Sequence, residues 1–367
     1  MTVKLLDLQA QYLPIRNEIS KAIDAVCDSQ ALILGPYVER FEDHLAEYCG
    51  VKHVIGVSSG TDALLCSLMA LGVGPGDEVI CPSFTFFATA GSVARLGARP
   101  VFAEIDARTF NLDPDRIEER VTPRTKAIIP VHLFGQTARM DDINEVAERH
   151  GLRVIEDAAQ AIGAKRHGKS AGAMGFVGCL SFYPTKNLGA FGDAGAICTN
   201  DDALAEVCRK LRVHGSGHTY YHDYIGGMFR LAALQAAVLD VKLKYLNSWH
   251  EGRRENAAIY NRLFDDEEKV TAPYIEPGNW SVYNQYVVRV ADRDRVKKRL
   301  ADRGITTGVY YPLPLHLQKC FDYLGHKEGD LPVTEQACRE VLALPIYPEL
   351  PEEQVRYVAK ELLAAVA

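Results

Sequence analysis

Along this chain, short apolar runs alternate with longer stretches whose apolar positions recur every three to four residues. "HVIGVSS", residues 53–59, is a short apolar run ending in small polar residues. "TDALLCSLMALG" follows with helical spacing and a terminal glycine, a usual helix stop. The pairing then repeats. "DEVICP" reads as a buried strand and "FFATAGSVARLG" as a helix closed by glycine. "RPVFAEI" and "KAIIPVHLFG" read as strands, the second leading to the amphipathic helix "MDDINEVAERHG". "LRVIEDAAQ" is a strand whose polar residues gather at its C-terminal end, and "GAICTN" is a strand before the helix "DDALAEVCRKLR". Strands alternating with helices imply a mainly parallel sheet with helices on both faces, and such sheets bind ligands at the carboxyl ends of their strands.

The second part of the chain changes pattern. A long helical stretch runs from Leu231 to about Phe264. After it, "NQYVVRV", "DRDRVKKRLADRG" and "TTGVYYP" read as strand, helix and strand, and a last helix starts at Glu352. This predicts a large α/β unit over residues 1–244 and a smaller α+β unit over residues 245–367.

Composition narrows the function. The 367 residues carry a formal charge of −7, which argues against nucleic acid or an anionic membrane as the main partner. The nine cysteines form no C-x-x-C pair, and Cys66, Cys179 and Cys198 sit in apolar runs. That reads as reduced, buried thiols and not a disulfide framework. "MTVKLLDLQAQY" turns polar too early for a signal peptide, and no apolar run is long enough for a bilayer. A cytoplasmic protein is expected.

Three features fall at the carboxyl ends of predicted strands. "SSGTDA", residues 58–63, is a small-residue turn opening a helix. A helix N-terminus offers free N–H groups to a phosphate, although an ordinary capped start looks the same. It is not a P-loop, because that pattern's lysine is missing. In "EDAAQ", Asp157 could be a helix cap, a metal ligand or the partner of a cationic ring nitrogen. In "SFYPTKNLGAFGDAGAI", Lys186 stands alone among glycines and the aromatics Phe182, Tyr183 and Phe191. Most lysines face solvent, but these neighbours suggest packed backbone near a ligand. A desolvated lysine has a depressed pKa and becomes a nucleophilic amine. A phosphate cradle, a buried acid and an isolated lysine are together what pyridoxal 5'-phosphate needs. The lysine holds it as a Schiff base, and the acid keeps the pyridine nitrogen protonated so that the ring acts as electron sink. "HGSGH" spaces His214 and His218 like metal ligands on a helix, but its glycines oppose a helix and no metal is expected.

At these residues the sequence resembles the DegT/DnrJ/EryC1/StrS family of sugar aminotransferases, which have the type I, aspartate aminotransferase-like fold. The matching segments run in order along nearly the whole chain: "LDLQAQY", "LGPYVERFE", "SSGTDAL", "GPGDEVICPSFTF", "KAIIPVHLFGQ", "VIEDAAQAIGA", "SFYPTKNLGAFGDAGAI", "RLAALQAA", "GVYYPLPLHLQ" and "LALPIYP". The resemblance implies a mostly parallel seven-stranded sheet with a smaller C-terminal α+β domain. It implies Lys186 as the Schiff-base lysine, Asp157 as the pyridinium partner and Gln160 beside the ring hydroxyl. Phe84 matches the aromatic that stacks on the ring. Gly60, Thr61 and Asp62 match the phosphate cradle, with Ser181 adding a hydroxyl. Tyr183, Tyr310, Tyr311 and His316 fall where the sugar nucleotide is expected. One position departs: the family commonly has G-x-N-x-R before its "LQAA" helix, and that asparagine reaches the cofactor phosphate of the neighbouring subunit. Here Met228 stands in its place, and a thioether cannot donate a hydrogen bond.

The activity implied is transfer of an amino group from glutamate, leaving 2-oxoglutarate, to a nucleotide-linked keto-sugar, in a homodimer with shared active sites. Two other readings compete. Some relatives are sugar-nucleotide dehydratases with histidine at the lysine's place, which Lys186 opposes. Others were first described as regulatory proteins, which need no lysine–aspartate pair.

Overall fold

A computed structural model describes all 367 residues. Its centre is a seven-stranded sheet of β1 (His53–Val57), β2 (Glu78–Pro82), β3 (Arg99–Ala103), β4 (Thr125–Ile128), β5 (Arg153–Asp157), β6 (Val177–Ser181) and β7 (Gly195–Thr199). The strand order is β1-β7-β6-β5-β4-β2-β3. β7 runs antiparallel to both its neighbours, and the remaining pairs are parallel. Every residue of β2 and β7 is buried, as expected for strands covered on both faces. The reversed β7 matters for the site. It brings its first residue, Gly195, level with Val57 and Ser181 at the carboxyl ends of β1 and β6.

Helix α1 (Gly60–Ala70) starts three residues after β1 and is buried nearly all round, lying against β6. The long helix expected from Leu231 is two helices, α2 (Ala233–Leu243) and α3 (Leu246–Phe264), broken at Lys244 and Tyr245. Their packing explains the break. α2 joins the core beside the sheet, whereas Ala257, Tyr260 and Phe264 of α3 belong to the C-terminal core. One straight helix could not present both faces.

The C-terminal core is built on β8 (Tyr286–Arg289), antiparallel to β9 (Val341–Leu344), and on the last helix, Glu352–Val366. Val3 also belongs to it: Val3 donates to the Gly304 carbonyl and accepts from Thr306 N–H. The strand expected in "TTGVYYP" does not form. Only Gly308 pairs, with Ala343, and the chain then turns to carry Tyr310 and Tyr311 towards the sheet. No helix is long and apolar enough to cross a membrane.

Candidate active site

A cavity of about 510 Å³ opens over the carboxyl ends of β1, β5 and β6. Asp157, the last residue of β5, reaches into it from below. Side chains alternate along a strand, so the two acids of "EDAAQ" separate. Glu156 turns away and is fully used: it takes hydrogen bonds from His132 Nε2 (2.7 Å) and from the amides of Gly172, Met174 and Gly175. Asp157 is buried and accepts from Thr89 Oγ1 (2.8 Å) and Ala159 N–H (3.2 Å). Burial pushes its carboxyl above the usual range, against the pull of those two bonds and of the Lys186 charge. A cationic ring nitrogen would relieve that cost.

Lys186 lies in the loop from β6 to β7. Its backbone N–H donates to the Tyr183 carbonyl at 2.8 Å, and Ala190 N–H closes the turn on Phe182 at 2.8 Å. Its amine forms no ion pair with any carboxylate. Burial lowers its pKa to about 8, while Asp157 pulls the other way.

The third element is a wall of backbone. Ser59, Gly60 and Thr61 line the cavity at the start of α1, where first-turn amides have no partner in the helix. A Cβ on Gly60 would stand 2.6 Å from the Ser181 Cβ, and one on Gly195 would stand 2.4 Å from the Ser59 carbonyl carbon. Only glycine lets these three segments meet. Asp62, expected in the cradle, is behind it. Its carboxylate accepts from the Ser58 and Ser59 hydroxyls at 2.6 and 2.9 Å, and its N–H donates to Ser59 Oγ. It braces Ser59, the cap of α1, and its charge would repel a phosphate.

The model of the DegT/DnrJ/EryC1/StrS aminotransferase family matches residues 14–363. The chain belongs to this family. It is 53% identical to the "Pleiotropic regulatory protein" of Geobacillus stearothermophilus, over 99% of this chain and 98% of that one. It is 44% identical to the UDP-N-acetyl-3-dehydro-alpha-D-glucosamine 3-aminotransferase of Acidithiobacillus ferrooxidans, over 97% and 96%. Among solved structures it resembles Streptomyces venezuelae DesV in complex with a ketimine intermediate, with a TM-score of 0.97, 44% identity and coverage of 99% and 98%. It also resembles NtdA of Bacillus subtilis with bound cofactor PMP, with a TM-score of 0.92, 35% identity and coverage of 100% and 85%.

In this DegT-family chain the other expected site residues divide. Gln160 lines the cavity, accepts from Phe134 N–H (2.7 Å) and donates to the Tyr311 hydroxyl (3.1 Å). Tyr183, Tyr310 and Tyr311 line it as well. His316 does not. It is buried, with Nδ1 against Ser83 Oγ (2.8 Å) and Nε2 against Glu335 (3.2 Å), so it braces the wall and has no free face for a substrate.

Phe84 is also displaced from its expected role. It is 1% exposed, packed on Phe110, Phe134 and Tyr311 at centroid distances of 5.7, 6.3 and 6.2 Å. Phe86 is 58% exposed, lines the cavity and touches Tyr311 at 6.3 Å. A stacking ring needs an open face, and Phe86 has one. Phe86→Ala is therefore expected to weaken cofactor binding about tenfold with little loss of stability. Phe84→Leu should do the reverse; equilibrium dialysis and thermal melts on both variants check this. Gln285 is a wall residue that sequence reasoning missed. Its Oε1 is buried without a hydrogen-bond partner, leaving an acceptor for a ligand.

Met228 is 65% exposed and lies outside this cavity. If residue 228 reaches the cofactor phosphate of a neighbouring subunit, as the family resemblance implies, Met228→Asn is expected to tighten cofactor binding about tenfold, the worth of one hydrogen bond to a charged group. Measuring cofactor and dimer dissociation on the same variant decides the placement. Unchanged cofactor binding with a weaker dimer would put residue 228 in the subunit contact alone.

Proposed function

We propose that this protein is a pyridoxal-phosphate aminotransferase that moves an amino group from glutamate to the keto carbon of a nucleotide-linked sugar. It would work in the cytoplasm as a homodimer with shared active sites. The observation that carries this reading is Lys186 without a carboxylate partner, in the same cavity as the buried Asp157 and a wall that only glycines allow. The residues fit the cofactor: Gly60, Thr61 and Ser181 suit its phosphate, Asp157 its ring nitrogen, and Phe86 the face of its ring. NtdA, a close structural neighbour, binds the amine form of that cofactor.

When bound, the cofactor supplies an electron sink for the carbon that loses its proton. The chain supplies the rest. Lys186 would hold the cofactor, and its free amine would take a proton from one carbon and return it to another. A pKa near 8 suits both directions at neutral pH. Asp157 would keep the ring nitrogen protonated. Residues 1–244 would carry this chemistry, while the unit from 245 onward closes the cavity with Gln285, Tyr310 and Tyr311.

The keto-sugar assignment is supported by the Acidithiobacillus relative, whose activity is a 3-amination of a UDP-linked sugar. The test is a panel of keto-sugar nucleotides with glutamate, read by product mass. The protein should be yellow, and borohydride should abolish its visible absorption. The regulatory reading rests on the name of the Geobacillus relative. A colourless protein, inert to every keto-sugar, would favour it.

A further inference from the structure

Lys242, in the last turn of α2, is only 5% exposed and has no carboxylate in ion-pair contact. Its ammonium donates to the carbonyl of Gly189 and stands over two aromatic rings, Phe191 at 5.9 Å and Trp249 at 5.8 Å. Burial lowers its pKa to about 8, with Glu349 acting in the opposite direction. Burying a lysine is costly, and carbonyl and ring contacts offset that cost only in part.

Gly189 closes the turn that carries Lys186. A Cβ there would stand 2.2 Å from the Pro184 carbonyl oxygen, so the chain doubles back on itself at this point. The turn is held at its base by the Ala190–Phe182 bond and at one side by Asn187 Nδ2, which donates to the Val282 carbonyl at 3.1 Å. The side away from the active site is different. Pro184, Ala190, Phe191 and Lys242 line a second cavity there, of about 280 Å³. The turn therefore has open space behind it. Gln235 of α2 holds the far end, accepting from Phe191 N–H at 2.7 Å and donating to its carbonyl at 3.2 Å, and Lys242 is the polar tie at Gly189, nearer to Lys186.

We propose that Lys242 is a positioning residue for Lys186, clamping the Gly189 carbonyl so that the turn cannot relax into the cavity behind it. This rests on the function proposed above, since it takes Lys186 as the reacting amine. Lys242 touches neither substrate nor cofactor; it acts through the turn. A small displacement of a reacting group is expensive in rate and cheap in binding.

The test compares Lys242→Met and Lys242→Arg in the full chain. In the cofactor-loaded enzyme, K242M should lower kcat about tenfold to a hundredfold, with KM for the amino donor within about threefold. K242R keeps a donor and a cation and should recover most of the lost kcat. In the cofactor-free protein, amide exchange over residues 186–191 should be at least about tenfold faster in K242M, and unchanged in the central strands. Wild-type kcat and wild-type exchange in K242M would overturn the proposal. So would a K242R variant as impaired as K242M. Should K242M not fold, Phe191→Leu loosens the same clamp from its aromatic side, and faster exchange with lower kcat is again expected; wild-type values there overturn it. The two readings fail separately. If the wild-type protein holds no cofactor the functional reading fails, while the exchange comparison still decides the clamp.

Discussion

Lys186→Ala is expected to lower transamination by at least about a thousandfold, because in the function proposed above one side chain supplies both the covalent hold and the proton transfer. The protein should still fold. The Lys186 amine makes no ion pair, and its lowered pKa shows that the folded state gains little from its charge. Between pH 8 and 10.5 the unfolded chain binds the proton more tightly, so this lysine costs stability below that window and the cost fades as pH rises through it. The variant should therefore be no less stable than wild type at neutral pH. Turnover with a keto-sugar nucleotide and borohydride labelling of the peptide carrying residue 186 are the measurements. Wild-type-like turnover would sink the assignment.

Asp157→Asn is the second large effect. An amide cannot keep the pyridine nitrogen protonated, so kcat should fall about a hundredfold to a thousandfold, the usual loss when a buried electrostatic partner is removed. The folded state should respond the other way. Asp157 has its pKa raised by burial, so its ionised form costs stability once the pH exceeds the unfolded value of 3.8. Asn removes that cost and can still accept from Thr89. The cofactor-free variant should melt higher than wild type at neutral pH, and the difference should vanish in acid. Unchanged kcat would make Asp157 a structural acid.

Lys186, Asp157 and Gly60 were legible in the sequence for one reason. Each is a residue type out of keeping with its surroundings: a lone lysine among aromatics, an acid ending an apolar strand, a glycine opening a buried helix. Such misfits need no phase to be noticed. Phe84 and Phe86 show the limit. Both lie in "SFTFF", a turn after β2 with no fixed periodicity, and only the packing of Phe110, Phe134 and Tyr311 decides which ring is buried. Asp62 matched a motif by position, yet its hydrogen bonds to Ser58 and Ser59 depend on side-chain direction, which the motif does not carry. β9 escaped notice because it follows the helix Pro332–Glu340 without a breaker between them. Gln285 had no local signal, since its importance comes from where β8 docks.

The pairing of Val3 with Ile305 has a mechanical consequence. Tyr12 packs on Phe191 beside the large sheet, so the chain passes between the C-terminal core and the core beside the sheet near residue 7, and passes again at Lys244 and Tyr245. A body attached at one point can swing, twist and slide. Attached at two, and stitched along the seam between them by Val282 to Gly135, Leu315 to Ser83 and Thr334 to Glu104, it is riveted in place. Tyr310, Tyr311 and Gln285 thereby stand over the cavity like a fixed lintel, in constant register with Lys186.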